Sequence, residues 1–231
     1  MHPQDRAFYR RWILANGWAE AVGLGTTFLI GRVLAPQLES ASEPMAILGV
    51  AMLAVALGTV FEGVLVGAAQ ERVLRQRVSR LRRWSWTFAT AAGAGLAWLL
   101  GMVPSTILAL TSVESTGSAP PEPAPAVRLA LAVGLGLIAG PLLGVVQWTV
   151  LRHLVTNAGR WLWANALAWS VGMPLIFAGM DVVPWQGRTG VVVLSVYAVC
   201  AAAGLATGAI HGRMLVTLLR AAPRTSAPAR E

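Results

Sequence analysis

Six long apolar runs fix what this chain can fold into. They cover residues 12–34, 45–69, 84–110, 129–150, 161–183 and 190–219. An α-helix needs about 20 apolar residues to cross the hydrocarbon core of a bilayer. Each run meets that length, and the last is long enough to project beyond it. In lipid the backbone polar groups must be satisfied internally, which leaves helices or a closed barrel. A barrel needs short alternating segments, and these runs are long and do not alternate. The composition agrees, with 56% hydrophobic and 12% charged residues and a mean hydropathy of +0.63. A soluble domain carries about 25% charge, and one of this length has too little interior to hide so much apolar sequence. The chain is therefore predicted to be an all-α integral membrane six-helix bundle.

The charges orient it. The basic residues are all Arg, and the net charge is +8. In a membrane protein such a balance points to the cytoplasmic side and to anionic headgroups, not to nucleic acid. Arg6, Arg10 and Arg11 precede the first span, and Arg72, Arg75, Arg77, Arg80, Arg82 and Arg83 join the second to the third. Arg152 and Arg160 join the fourth to the fifth, and Arg213, Arg220, Arg224 and Arg230 follow the sixth. The other side has only Arg32, Arg128 and Arg188, beside Glu39, Glu43, Glu114, Glu122 and Asp181. Both termini should then be cytoplasmic, in a bacterial inner membrane. The first run contains Asn16 and Glu20 and lacks a small-residue cleavage site after it, so it reads as a retained helix and not as a signal peptide. Residues 111–126 are rich in Pro and Ser and read as a flexible outer loop, and 221–231 as a flexible tail. Residues 71–83 place Val73, Leu74, Val78 and Leu81 among six Arg, which reads either as a basic cytoplasmic continuation of the second span lying on anionic headgroups or as a plain positive-inside loop.

The spans repeat in pairs. Each odd-numbered span opens with Arg-Trp: Arg11-Trp12, Arg83-Trp84 and Arg160-Trp161. Ala19, Ala91 and Ala168 follow at one fixed offset, and Gly23, Gly95 and Gly172 at another. Each even-numbered span ends on Gly63-x3-Gly67-x2-Gln70, Gly140-x3-Gly144-x2-Gln147 or Gly204-x3-Gly208-x2-His211. The expected architecture is three tandem two-helix hairpins in one transmembrane domain, over about 11–75, 83–152 and 160–215. They share one orientation about a pseudo-threefold axis along the membrane normal. The glycines are expected at helix contacts, where backbones approach closely in lipid. The Arg-Trp pairs are expected at the headgroups. Gln70, Gln147 and His211 would form a ring of polar groups, either as interhelical hydrogen bonds or as a polar gate.

The stretch 140–172 resembles a group of uncharacterised multi-pass bacterial membrane proteins. They carry repeated G-x3-G-x2-Q-W-x2-L-R, followed by W-x3-A and a Gly-containing helix. Gln147-Trp148 and Leu151-Arg152 fit that pattern, whereas the first copy has Glu71 in the Trp place and the third has His211-Gly212. The resemblance implies topology and carries no activity.

Two carboxyls lie within the apolar runs. Glu20 is eight residues after Trp12, and Glu62 is eight before Gln70. At 1.5 Å per residue both fall about 12 Å from one interface, on neighbouring antiparallel helices. Ionised carboxylates there cost several kcal/mol unless paired, so the pair should hold or share a proton. It reads as a proton or cation site, as a docking point for a partner helix, or as neutral groups bonded to Asn16, Thr59 or a backbone carbonyl. His153 and His211 are the only candidates for holding a haem or chlorophyll-type pigment. The sequence has no Lys for a Schiff base, one Cys, and no metal-site or catalytic motif.

Three function classes follow. A non-catalytic accessory subunit packing on other membrane proteins is favoured by the small-residue faces and the ten Trp. A small-solute or proton-coupled transporter or channel is favoured by the repeats, the Gln/His ring and the Glu pair. A pigment binder rests on His and Trp alone. The almost wholly apolar outer halves of the spans tip the sequence reading toward the accessory subunit. Cofactor and partner subunits are not specified.

Overall fold

The computed structural model describes residues 2–34, 43–116 and 122–221. Its elements are α1 (Pro3–Leu34), α2 (Glu43–Leu57), a π-helical segment (Gly58–Gly63), α3 (Val64–Leu74), α4 (Ser85–Thr116), α5 (Pro125–Leu151), α6 (Arg160–Asp181) and α7 (Thr189–Ala221). α2, the π-helical segment and α3 run on as one rod, so six helices are long and apolar enough to span a membrane. The helices absorb Pro104, Pro141 and Pro174 without ending, as membrane helices can.

Each span packs on the spans before and after it in sequence, and α7 closes on α1. The bundle is thus a ring of six helices around a common interior. Large apolar side chains such as Phe88, Trp163 and Leu194 face outward, where lipid is their solvent. One end is basic. There Asp5 pairs with Arg77 at 3.0 Å and with Arg220 at 2.7 Å, tying the start of α1 to the α3–α4 turn and to the end of α7. Partial burial opposes the charged carboxylate of Asp5, but the hydrogen bonds and charges of the two guanidiniums outweigh it and hold its pKa below the usual range. At the other end Arg128 pairs with Asp181 and Glu122, and Arg32 lies over the Trp185 ring.

Three expectations change. The basic connection is not a surface helix: α3 stops at Leu74, and the following residues turn back. The cause is Glu71, whose buried carboxylate accepts the backbone N–H groups of Trp84 and Thr87 and so caps α4 from the preceding helix. That short tether folds Leu81 into the core beside Leu74 and Val73. The segment 111–126 is partly helical: α4 runs to Thr116 and α5 begins at Pro125, and the Thr111 and Ser115 hydroxyls are satisfied by carbonyls one turn back. Its residues 117–121, like the tail 222–231, lie outside the described residues. Trp12 and Trp161 turn into the bundle and are fully buried.

The glycines do sit at close helix contacts. A Cβ on Gly140 would lie 2.4 Å from the Asn165 carbonyl oxygen, and one on Gly63 would lie 2.7 Å from the Ala91 Cα. Gly67 faces Thr87, Gly144 faces Leu162 and Asn165, Gly204 faces Asn16 and Glu20, and Gly208 faces Ile13. These three Gly pairs therefore join α3 to α4, α5 to α6 and α7 to α1. Gly23 abuts Glu62 of the π-helical segment, Gly95 abuts Thr59, and Gly172 abuts Thr207.

Candidate functional site

The polar side chains in the interior form two layers. The first lies toward the basic end and is a closed hydrogen-bond network. Asn16 Nδ2 donates to the Trp12 carbonyl, and Gln70 Nε2 donates to Asn16 Oδ1 at 2.7 Å. Gln70 Oε1 accepts from Trp86 Nε1 at 2.8 Å and from Gln147 Nε2 at 3.3 Å. Gln147 also donates to Thr90 and accepts from Trp161 Nε1 at 2.8 Å. Trp12 Nε1 donates to His211 Nδ1 at 3.0 Å, which leaves the hydrogen of that neutral imidazole on Nε2. The rings of Trp12, Trp86 and Trp161 meet edge to face, with centroids 5.8 to 6.5 Å apart. Such aromatic contacts and the buried donors they satisfy close the interior toward this end.

Two members of this layer were not legible from spacing. Trp86, and not Trp84, stands beside Trp12 and Trp161; Trp84 is exposed with φ 68°. Thr90 takes the place that Asn16 and Asn165 hold elsewhere: each bonds back to the carbonyl of the Trp four residues earlier. Trp-x3-Asn/Thr was the available signal. Of the paired arginines, Arg11 bonds Gln76, Arg83 lies over the Trp84 ring, and Arg160 is exposed. Arg83 and Trp84 help line a surface cavity of about 440 Å³ at the basic end, with Ala68, Glu71, Arg72, Arg75 and Thr87 as its other walls. A positive φ is uncommon for a bulky residue, and the Trp84 N–H bond to Glu71 holds it there.

The second layer is deeper. Glu20 and Glu62 are both buried, and both line a narrow cavity of about 20 Å³ together with Asn16, Gln70, Thr90 and His211. That is room for one water-sized molecule. Neither Asn16 nor Thr59 bonds a carboxyl; they bond Trp12 and Val55 carbonyls instead. Glu62 Oε2 accepts from Trp98 Nε1 at 2.8 Å. Glu20 Oε2 is buried without a hydrogen-bond partner. The π-helical segment carries Glu62, and its wider turn packs between Gly23 on α1 and Trp98 on α4. Among the described residues no salt bridge reaches either carboxyl.

Beyond the carboxyls the interior opens into an apolar cavity of about 320 Å³ in the other half of the bundle. Leu24 and Phe28 of α1, Trp98 and Met102 of α4, Leu135 of α5, and Trp169 and Phe177 of α6 are among its walls, and Glu62 is the one ionisable group lining it. The two cavities share Glu62, Ala94, Leu143 and Trp169. Trp98 and Trp169, well inside their helices and away from the headgroup level that Trp ordinarily prefers, were the unread signal for this site. His153 is exposed beside Arg152, and His211 has only the small polar cavity next to it. Among the described residues no three His, Cys, Asp or Glu stand together as a metal site. No family model, curated protein or solved structure matches the chain.

Proposed function

We propose that this integral membrane protein binds a small solute inside its helix bundle and belongs to the transport class. The observation that carries this reading is the 320 Å³ cavity with Glu62 in its wall and the unpartnered Glu20 oxygen beyond it. A scaffold that only packs on other subunits gains nothing from an unfilled interior, since lost contacts around a void destabilise it. The Trp12–Trp86–Trp161 cluster closes the basic end, so passage of a solute requires those rings to part. The accessory-subunit reading keeps the exposed apolar faces as its support, and the pigment reading keeps His153 and His211, of which His211 lines the narrow polar cavity.

The basic end is read as cytoplasmic. Arg72, Arg75 and Arg83 around the surface cavity, with Trp84 beside them, suit an anionic lipid headgroup. The ring is read as three hairpins about an axis along the membrane normal. Its support is that the Trp86 and Trp161 indoles each meet the Gln of the preceding hairpin, and the Trp12 indole meets His211 of the last.

The test is a thermal-shift screen of the purified chain against small anionic, neutral and cationic aromatic compounds. Gly101 lines the cavity, and its nearest neighbour for an added Cβ is 4.0 Å away, so Gly101→Leu starts its side chain from open space at the cavity wall and takes up cavity volume. Compounds that raise the melting temperature of the native chain should not raise that of Gly101→Leu. Equal shifts in both, or none in either, would return the protein to the accessory reading.

A further inference from the structure

We infer that the interior cavity takes a lipophilic monocation, an organic ammonium whose aromatic or aliphatic body fills the apolar walls while its charge lies at the Glu20/Glu62 floor. The inference rests on the solute-binding reading above and names the chemistry of the solute.

Three features of the site point the same way. Among the described residues the ionisable groups that line the joined cavities, His211 aside, are acidic: Glu62 lines both, and Glu20 lines the narrower one. At the far end Arg128 pairs with Asp181 and Glu122 and Arg32 lies over Trp185, and neither these nor Arg188 lines either cavity. An anionic solute would thus meet carboxyl oxygens with no cation to offset them. A neutral solute would place no compensating charge beside the two buried carboxyls, whose ionised forms cost several kcal/mol unless paired.

The walls set the rest. Phe28, Trp98, Trp169 and Phe177 offer aromatic faces around the volume, and a quaternary or protonated ammonium is attracted to such faces, most to Trp. Trp98 holds Glu62 by its indole N–H, so one residue both orients the carboxyl and presents a ring to the solute. A small inorganic cation fits less well. It needs several oxygen ligands, whereas the amides nearest the carboxyls, Asn16 and Gln70, spend their oxygens on Gln70 and on Trp86 and Gln147. Pocket dimensions near 300 Å³ and above are those of sites that enclose small organic ligands.

The experiment compares phenyltrimethylammonium with tert-butylbenzene, which has the same shape with carbon in place of the charged nitrogen. Dissociation constants are measured by calorimetry on the purified full chain in detergent, corrected for partition into empty micelles. The cation should bind at least tenfold more tightly. Glu20→Gln and Glu62→Gln should each remove most of that preference while leaving the affinity for tert-butylbenzene unchanged, and Gly101→Leu should weaken both ligands. If the neutral compound binds as tightly as the cation, and Gly101→Leu abolishes both, the solute cavity stands and the cation inference falls. If neither compound binds, both readings fall. A cation preference that survives in both Glu variants would also overturn the inference, because the charge would then be recognised elsewhere. The comparison on the native chain decides by itself should a Gln variant fail to fold.

Discussion

Gln147 binds three helices at one point: it donates to Thr90 of α4 and Gln70 of α3, and it accepts from Trp161 of α6. Its amide is nearly fully buried, so each of those partners depends on it. Gln147→Leu keeps the volume and removes the polar atoms, which strands the Trp161 indole N–H and takes away the donor to the Thr90 and Gln70 oxygens. The expected loss is about 1–3 kcal/mol of stability, read as a lower midpoint in a detergent-unfolding titration. Gln147→Glu keeps the acceptor for Trp161, but as a carboxylate it loses both donors and buries an unpaired charge against the Gln70 and Thr90 oxygens, so it should destabilise more than Gln147→Leu. That polar residues at this level would meet was legible, since Gln70, Gln147 and His211 recur at one offset from a Gly-x3-Gly pair. Which indoles they would meet was not. The Arg-Trp spacing pointed to Trp84, but the turn set by Glu71 brings Trp86 inward two positions later.

At the scale of helices, the small residues decide which pairs come closest. Gly63 and Gly67 lie on α4, Gly140 and Gly144 on α6, and Gly204 and Gly208 on α1. Close backbone approach is a main source of helix association in lipid, where apolar side chains gain little by meeting. Gly140→Ala would force its methyl against the Asn165 carbonyl, and an overpacked contact costs about 1–3 kcal/mol. Gly134, on the same helix, has nothing within 4 Å of an added Cβ. Gly134→Ala should be neutral or stabilise by up to about 1 kcal/mol through helix propensity. The pair of variants, compared by thermal unfolding, separates the contact from the generic effect of losing a glycine. The π-helical segment is the one element with no sequence signature. It arises where Gly58 must clear Trp98 and Gly23 lets the backbone at Glu62 approach, and neither partner is near it in sequence.

For the molecule as a whole, the ring closure and the gathering of basic turns at one end place both described termini on the same side, held by Asp5 with Arg77 and Arg220. Orientation in the membrane follows from the Arg asymmetry. In a Cys200→Ala background, a Cys at Arg80 should resist an impermeant thiol reagent added to intact cells, and a Cys at Gln186 should react. The reverse pattern would invert the topology. Native Cys200 is fully buried, so the unmodified chain should label poorly from either side.

The sequence by itself determined the membrane class, the six spans and the positions of the tight glycine contacts. It also placed two carboxyls at one depth. Each of these follows from local rules: lipid demands helices of a set length, and a face of small residues repeats with the helix turn. Only the tertiary structure decided what those residues face. The Gly pairs join the second span to α4, α5 to α6 and α7 to α1, Glu62 rests on an indole from α4, and an apolar volume opens beyond it. Side chains from all six spans enclose the joined cavities, and their meeting depends on how the ring closes, a long-range property that no spacing along a single helix records.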